Sequence, residues 1–377
     1  MAQGCLTILI AVITQEEEPK KYIYRMYDII LCFITSLLIT YLSIPVVISI
    51  AKKKKFYDHP DERKTHSEPI PALGGIAIFA GVIFSVVMWT PFEYFSKLQF
   101  ILMAFIIIFL VGAKDDIDPI SPAKKFLAQV AAAAILVLLA DVRITSLYGI
   151  FGIKELPMLI SVLLTMFTIL VVINSFNLID GINGLSASLT LTITLTLGTW
   201  FFLSDQMQLA LLGFSLAGAA IAFLKYNITP AKIFMGDTGA MLAGAIVAIM
   251  AIRFIEAQQH LPPDSPYTIR AAPAVAIGIM ILPLFDTLRV FIVRVLKGRS
   301  PFHPDRLHIH HMMIDVGFTH MQATSILVLF NLLFIFMVLK FQSIGNLNLL
   351  IVIFAFALLF TTMLYMILQN KRKNNQL

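Results

Sequence analysis

Charged residues are scarce in this chain. Of its 377 residues, 13% are Asp, Glu, Lys or Arg and 59% are hydrophobic, whereas soluble globular proteins carry roughly a quarter of charged residues. A soluble core cannot bury that much apolar surface, which excludes a water-soluble globular fold. Cysteine is scarce as well, because Cys5 and Cys32 are the only two. They form no ligand pattern, so neither a cysteine metal site nor a disulfide framework is indicated.

The sequence is instead rich in long runs of apolar residues. About 20 residues are needed to cross the hydrocarbon core of a bilayer as a helix, and the hydropathy of the chain predicts about eleven such spans. We therefore predict an all-α membrane protein. The predicted spans cover residues 27 to 51, 73 to 90, 98 to 113, 123 to 140, 157 to 176, 185 to 203, 207 to 224, 239 to 257, 271 to 294, 322 to 341 and 347 to 369.

The distribution of basic residues predicts the orientation of these spans. Loops that follow odd-numbered spans hold about twice as many Lys and Arg as the loops on the other side, and basic loops stay in the cytoplasm. Residues 1 to 26 are then an extracytoplasmic segment without the features of a signal peptide. Residues 27 to 369 form one polytopic domain, residues 370 to 377 form a basic cytoplasmic tail, and residues 141 to 156 suggest a small outer hairpin.

An acidic motif follows the third predicted span, on the side with the basic loops. Asp115 and Asp116 are adjacent, and Asp118 follows before two prolines. One interpretation is a solvated turn. The other is a cation site, because adjacent carboxylates repel each other unless a cation lies between them. Mg²⁺ prefers oxygen ligands and shares them with phosphates, which suits such a motif.

Two further motifs end or begin spans on the same side. Asn174, Asn177 and Asp180 are three residues apart and share one helical face. Because an amide facing lipid is costly, that face must look into protein or a cavity; helix caps and glycine turns would explain Asp180 but not the two amides. Asp237 lies between two glycines at the start of a span. It is either an ordinary helix cap or a Mg²⁺ ligand beside a phosphate at the helix start.

A run rich in His and Arg follows the ninth predicted span. It contains Arg306, His308, His310 and His311. Clustered histidines suggest a transition metal such as zinc, but no cysteine accompanies them, and the neighbouring Arg residues favour a phosphate over a cation.

The first basic loop adds two candidate phosphate ligands. They are Lys64 and His66, which precede a proline- and glycine-rich entry into the second predicted span. The lysine run before them, residues 52 to 55, is typical of topology and anionic headgroups rather than of catalysis.

These motifs together resemble a known family. HSEPIPALGG, the Asp115–Asp116 pair, NSFNLIDGINGL, PAKIFMGDTGA and PDRLHIHH occur in order over about residues 50 to 320. The chain resembles the polyprenyl-phosphate N-acetylhexosamine-1-phosphate transferases of glycosyltransferase family 4. This group starts enterobacterial-common-antigen, O-antigen and wall-teichoic-acid synthesis, and is related to the translocase that makes lipid I. The third acid, Asp118, stands one place earlier than in the usual family motif.

The resemblance implies transfer of a sugar 1-phosphate, with N-acetylglucosamine as the best candidate, from a UDP-sugar to undecaprenyl phosphate with release of UMP. It also implies roles for the motif residues. Asp115 or Asp116 would be the base or would position the lipid phosphate, and Asp237, with Asn177, would hold Mg²⁺, for which Mn²⁺ is a candidate substitute. The implied substrate contacts are Asn177 and Asp180, Asn183 and Phe234 for uracil, and Arg306, His308, His310 and His311 for pyrophosphate. The motifs themselves add Lys64, His66 and Asn174 as candidate substrate contacts.

The implied partners are UDP-sugar, undecaprenyl phosphate and the bilayer of the inner membrane, with no nucleic acid and with a homodimer left open. Attack by the lipid phosphate on the β-phosphorus and a covalent aspartyl-phosphate both stay open. A lipid I-forming translocase is the alternative enzyme. A transporter is the rival class; it predicts ionisable residues near mid-membrane, and only Asp286 and Arg289 fit that expectation.

Overall fold

A computed structural model describes residues 2–57, 69–92, 95–262, 264–300 and 305–374 of the chain. In this part of the chain the regular structure is helical, and the long apolar runs form the helices. The thirteen α-helices are α1 (Ala2–Lys54), α2 (Gly74–Trp89), α3 (Phe95–Ile117), α4 (Pro122–Leu138), α5 (Met158–Ile179), α6 (Leu185–Leu203), α7 (Met207–Asn227), α8 (Gly236–Ala257), α9 (Ala272–Ile279), α10 (Ile281–Leu296), α11 (Ile309–Val316), α12 (His320–Phe341) and α13 (Asn346–Asn374).

Each predicted span coincides with a helix or, in one case, with a helix pair. Among the described residues, seven helices are long and apolar enough to cross a membrane, or eight if the bent pair α9–α10 counts as one span. Helices α2 and α4 are shorter, with 16 and 17 residues. The chain is therefore a multi-pass, all-α membrane protein, and the count of eleven stays a prediction.

The ninth predicted span is not one continuous helix. It breaks between α9 and α10, which meet at 82°. Pro283 has no backbone N–H and so cannot bond the carbonyl of Ile279, four residues earlier. The Asn331 side chain from α12 donates to that carbonyl instead, at 3.2 Å, which satisfies the freed group inside the bundle. The prediction of a span from 271 to 294 therefore corresponds to a bent helix pair, and its bend was not predicted.

Helix α8 forms the centre of the bundle and is almost wholly buried. It packs against α2, α3, α5, α6, α7 and α9. Small residues make this close approach possible, since a Cβ on Gly75 of α2 would lie 2.1 Å from the Gly239 nitrogen. A Cβ on Gly112 of α3 would lie 2.6 Å from the Thr238 Cα. The start of α8 is thereby held against the end of α3.

The segment from 141 to 156 is a hairpin, as predicted. Ser146 and Glu155 form an antiparallel bridge, and the turn passes through Gly149 with a left-handed φ of 80°. The hairpin is attached to α8 through Glu256, whose carboxylate accepts bonds from the Thr145 backbone N–H at 2.8 Å and hydroxyl at 2.7 Å.

Candidate active site

A cavity of about 520 Å³ opens where α3 and α5 end and α8 begins. Because these three ends carry three of the polar motifs, the helix packing brings motifs distant in sequence into one wall. The residues that line the cavity are Tyr57, Ala72, Asp115, Asp116, Ile117, Pro119, Asn177, Asp180, Gly181, Ile182, Asn183, Asn227, Phe234, Gly236, Asp237 and His311.

The Asp116 carboxylate is hydrogen-bonded to the start of α8. One carboxylate oxygen accepts the Asp237 backbone N–H at 2.7 Å, and the other accepts the Thr238 N–H at 3.1 Å and its hydroxyl at 2.6 Å. Asp116 thus caps a helix from another helix, because the first N–H groups of α8 have no intrahelical acceptor. Gly236 leaves room for this contact: its φ is +69°, and a Cβ there would lie 2.6 Å from the Asp116 carboxylate.

Asp115 faces the cavity beside a lysine that sequence reasoning left out of the site. Its Oδ1 accepts the Ile120 N–H at 2.9 Å, and its Oδ2 lies 3.4 Å from Lys125 Nζ. The same ammonium forms an ion pair with Asp237. In the orientation that satisfies both ends of its amide, Asn177 accepts from Lys125 Nζ at 3.1 Å and donates to Asp237 Oδ1 at 2.9 Å. One ammonium is thus held by two carboxylates and an amide oxygen.

This wall presents oxygen donors of the kind that Mg²⁺ takes in proteins. The oxygens of Asp237 and Asn177 are the hard donors that Mg²⁺ prefers, and Mg²⁺ usually takes only one or two protein carboxylates, with waters and phosphates completing its shell. Burial, with the charge of nearby Asp116, raises the pKa of Asp180 to about 7, so the surroundings favour an added positive charge. Among the described residues, no group of three or more His, Cys, Asp and Glu side chains is arranged to hold a metal by itself.

The histidine segment, His308 and the start of α11, reaches the cavity through His311, which lines it. His308 and His310 are buried with rings stacked at 5.6 Å, and the His310 and His311 rings lie 4.3 Å apart. Burial lowers the pKa of His310 well below its usual value, and burial with the Arg306 guanidinium lowers that of His311 to about 4. Both rings are therefore neutral at neutral pH, whereas the Lys125 ammonium places a positive charge beside the site carboxylates.

His310 reaches the cavity wall through Gly181. A Cβ on that glycine would lie 2.0 Å from His310 Nε2, so only glycine permits this approach. The Nδ1 atom of His310 is buried without a hydrogen-bond partner. The glycine after Asp180 thus joins the α5 motif to the His motif.

Asn183 and Phe234 lie on the two loops that complete the rim. The Asn183 amide donates to the Thr229 hydroxyl at 3.0 Å. Asn227 ties these loops together, since it accepts from the Gly184 N–H at 2.7 Å and donates to the Ile233 carbonyl at 2.9 Å.

Several predicted site residues lie elsewhere. Asn174 is one turn deeper in the bundle and donates to Gln129 of α4 at 2.8 Å, and it does not line the cavity. Arg306 lies outside the lining and pairs with Asp315 at 3.3 Å. Asp118, the third acid of the motif, was not predicted as a site residue; it is exposed and pairs with Lys114 of α3. Lys64 and His66 fall outside the described residues.

Comparison with known proteins identifies the family of the chain. The model of glycosyl transferase family 4 matches residues 98–255. An undecaprenyl-phosphate alpha-N-acetylglucosaminyl 1-phosphate transferase of Salmonella typhi is 31% identical over 315 residues, covering 82% of each chain. The chain belongs to glycosyl transferase family 4. The Escherichia coli K12 protein of the same name is 32% identical over 285 residues, covering 74% of this chain and 75% of its own. A decaprenyl-phosphate N-acetylglucosaminephosphotransferase of Mycobacterium tuberculosis is 30% identical over 322 residues, covering 80% of each.

The family match spans the acidic wall and stops before the histidines, because it ends at residue 255. Lys125 and Tyr57 line or contact the site without having been predicted. A basic residue at the start of the helix that follows the acidic pair was a usable signal for Lys125. Tyr57 gave none, since an aromatic residue near a span end is common at the membrane interface.

Proposed function

We propose that this member of glycosyl transferase family 4 transfers N-acetylglucosamine 1-phosphate from a UDP-sugar to undecaprenyl phosphate, releasing UMP and starting a cell-envelope polysaccharide. The observation that carries the proposal is the Lys125 ammonium held by Asp115, Asp237 and Asn177 in an open cavity at the helix ends. The names of the relatives, which include polyprenyl phosphates and N-acetylglucosamine, support the same substrates.

The location of the cavity suits a reaction between unlike substrates. The nucleotide sugar is soluble and the acceptor is anchored in lipid, so their phosphates meet only at the membrane surface. The cavity lies at helix ends on the side with about twice as many basic loop residues. Since basic loops stay in the cytoplasm, we assign the site to the cytoplasmic face of the inner membrane, where UDP-sugars are made.

In the proposed step, an oxygen of the lipid phosphate forms a bond to the β-phosphorus of the UDP-sugar. The bond from that phosphorus to the bridging oxygen breaks, and UMP leaves with the electron pair. The lipid phosphate has a pKa of about 6 for its second proton, so it is mostly ionised and needs little help from a base. Asp115, with an oxygen 3.4 Å from Lys125 Nζ, is better placed to orient it than Asp116, whose oxygens cap α8.

Asp237 and Asn177 would hold Mg²⁺, which when bound reduces the repulsion between the two anions and stabilises charge in the transition state. Lys125 would orient the same phosphates from the α4 side. Neutral His311 would donate a hydrogen bond rather than a charge. A covalent aspartyl-phosphate on Asp115 is the second route; a phosphosugar trapped on the protein without lipid would favour it.

The test incubates purified protein with undecaprenyl phosphate, Mg²⁺ and single UDP-sugars, and measures UMP and the lipid-linked product by mass spectrometry. We expect one UMP per lipid-linked N-acetylglucosamine 1-phosphate, and no UMP without lipid. Product from the nucleotide-linked peptidoglycan precursor alone would favour the lipid I-forming alternative. No UMP with any donor would contradict transferase activity.

Removal of divalent cations should abolish turnover. We expect EDTA to lower the rate by at least about 100-fold, because a metal ion contributes several kcal/mol of charge stabilisation in such transfers. Added Mg²⁺ or Mn²⁺ should restore it. Full activity in EDTA would contradict the assignment of Asp237 and Asn177 as ligands.

Replacing Gly181 with Ala should reduce turnover roughly 10- to 100-fold, because misplacement of a site group by about 1 Å is worth that much. The added Cβ would overlap the buried His310 ring, at 2.0 Å from Nε2. Gly198→Ala is the matched control, since its Cβ would meet its neighbours at an ordinary 3.4 Å. Rates of UMP release and thermal midpoints of both variants decide the prediction, and equal rates would refute it.

A further inference from the structure

Asp286 lies inside α10 and is 1% exposed, yet its carboxylate makes three polar contacts with other residues. Its Oδ2 lies 2.9 Å from His308 Nδ1. Its Oδ1 accepts the Ile309 backbone N–H at 3.0 Å and lies 2.8 Å from an Arg289 nitrogen. All these partners belong to α10 or to the start of the histidine helix α11.

Arg289 holds the same stretch of chain from its other side. Its guanidinium nitrogen donates to the Leu307 carbonyl at 2.5 Å and to Asp286 at 2.8 Å. The Asp286–Arg289 pair therefore binds three consecutive residues: the carbonyl of Leu307, the imidazole of His308 and the N–H of Ile309. We call this arrangement the α10 clamp.

The α10 clamp supplies two things that α11 lacks by itself. The residue before the helix, His308, provides no side-chain cap, and Asp286 takes that place as acceptor for the first free N–H. A carboxylate beside an arginine accepts hydrogen bonds and does not donate them. The proton shared with His308 is therefore on Nδ1, which leaves Nε2 without a proton when the ring is neutral.

We propose that Asp286 and Arg289 are positioning residues for sugar-phosphate transfer: the α10 clamp fixes the tautomer and orientation of His308 and the start of α11, and so places His310 and His311 at the cavity. This inference rests on the proposed function. When a carboxylate orients a histidine in an active site, replacing it with an amide can lower the rate greatly, because the amide imposes the wrong tautomer on the imidazole.

Stability alone gives a weaker account of the clamp. A buried ion pair adds little to stability compared with apolar residues of the same size, and a pair inside a span is often taken as a sign of a transport path. Here the Asp286 and Arg289 side chains contact each other and residues 307 to 309. The feature that had favoured a transporter is thus bonded to the chain segment that leads to His311, which lines the cavity.

The kinetic test compares Asp286→Asn with wild type in the UMP-release assay. We expect kcat to fall by at least about 30-fold, since Asn keeps the shape and an acceptor but donates to His308 Nδ1. KM for the nucleotide sugar should change less than about threefold. Because a smaller folded fraction would also lower the apparent kcat at constant KM, kcat is expressed per folded enzyme. Glu256→Gln is the control, because Glu256 ties the hairpin to α8 on the other side of the molecule in the same manner.

A double-mutant cycle separates positioning from structural support. If Asp286 acts through His308, then His308→Ala alone lowers kcat, and adding Asp286→Asn to it lowers kcat by less than about threefold more. Three outcomes would each overturn the inference. They are losses that multiply in the double mutant, a His308→Ala protein with full activity, and an Asp286→Asn protein whose kcat is within threefold of the wild-type value. If Asp286→Asn does not fold, Arg289→Lys takes its place in the cycle, with an expected loss of about tenfold.

Hydrogen exchange tests the clamp without using activity. In Asp286→Ala, amides in peptides covering residues 305 to 316 should exchange at least about tenfold faster than in wild type, because the Ile309 N–H has lost its acceptor. Unchanged exchange would overturn the clamp. If wild type releases no UMP from any donor, the proposed function fails, and the exchange result still decides the clamp.

Discussion

Asp237→Asn should lower kcat/KM by about 10³-fold or more, which corresponds to about 4 kcal/mol of transition-state stabilisation. Its carboxylate is paired with Lys125 and bonded to Asn177, and in our proposal it would hold Mg²⁺, which would stabilise the charge of the reacting phosphates. The amide keeps the size of the side chain and leaves the Asp116 cap on the backbone N–H of residue 237 intact. The loss of kcat/KM therefore reflects the removed negative charge of residue 237. Steady-state rates of UMP release measure this loss.

Asp118→Asn provides the matched control, since it is the same substitution in the acidic motif. Asp118 is exposed, pairs with Lys114 and does not line the cavity. Exposed ion pairs contribute little, so we expect a change below about twofold. Equal losses in the two variants, or more than a tenth of wild-type activity in Asp237→Asn, would contradict the assignment of the cavity.

Lys125→Met should lower kcat/KM about 100-fold at saturating Mg²⁺, because a fixed positive charge that faces the reacting phosphates is typically worth 10²- to 10³-fold. Its ammonium also competes for the oxygens of Asp237 and Asn177. The Mg²⁺ concentration for half-maximal rate should therefore fall at least about threefold. Mg²⁺ titrations of UMP release measure both effects.

Lys124→Met is the control for this substitution. Lys124 is the adjacent residue on α4 and is exposed, so its removal changes the net charge by the same amount without changing the cavity wall. We expect wild-type rates and an unchanged Mg²⁺ requirement. A Lys125→Met enzyme with full activity would show that the ammonium is only a structural counter-ion.

The helices were predictable because each apolar run specifies its own backbone hydrogen bonds. The break at Met280 was not, since its location depends on Asn331, which lies 52 residues from the carbonyl that it satisfies. The proline at 283 was visible in the sequence, but proline is tolerated in membrane helices. Only the neighbouring helix decides whether a bend of 82° is stable.

The candidate site, like the fold, was predictable where the pattern is local and not where it depends on contacts between distant residues. Three-residue spacing correctly placed Asn177 and Asp180 at the cavity, but it carried no information on depth, and Asn174 lies a turn too far into the bundle. Lys125 and Asp286 were missed as site residues for another reason. Their roles depend on partners distant in sequence, Asp237 and His308, and spacing along the chain does not reveal such contacts.

The central claim is that the acidic cavity, and not the histidine cluster, holds the cation on which transfer depends. Anomalous diffraction from crystals grown with Mn²⁺ and UDP tests it most directly. We predict a single strong peak within coordination distance of the Asp237 carboxylate and the Asn177 amide oxygen, with Lys125 displaced, and no such peak in Asp237→Asn. A peak among His308, His310 and His311, with none at Asp237, would contradict the account.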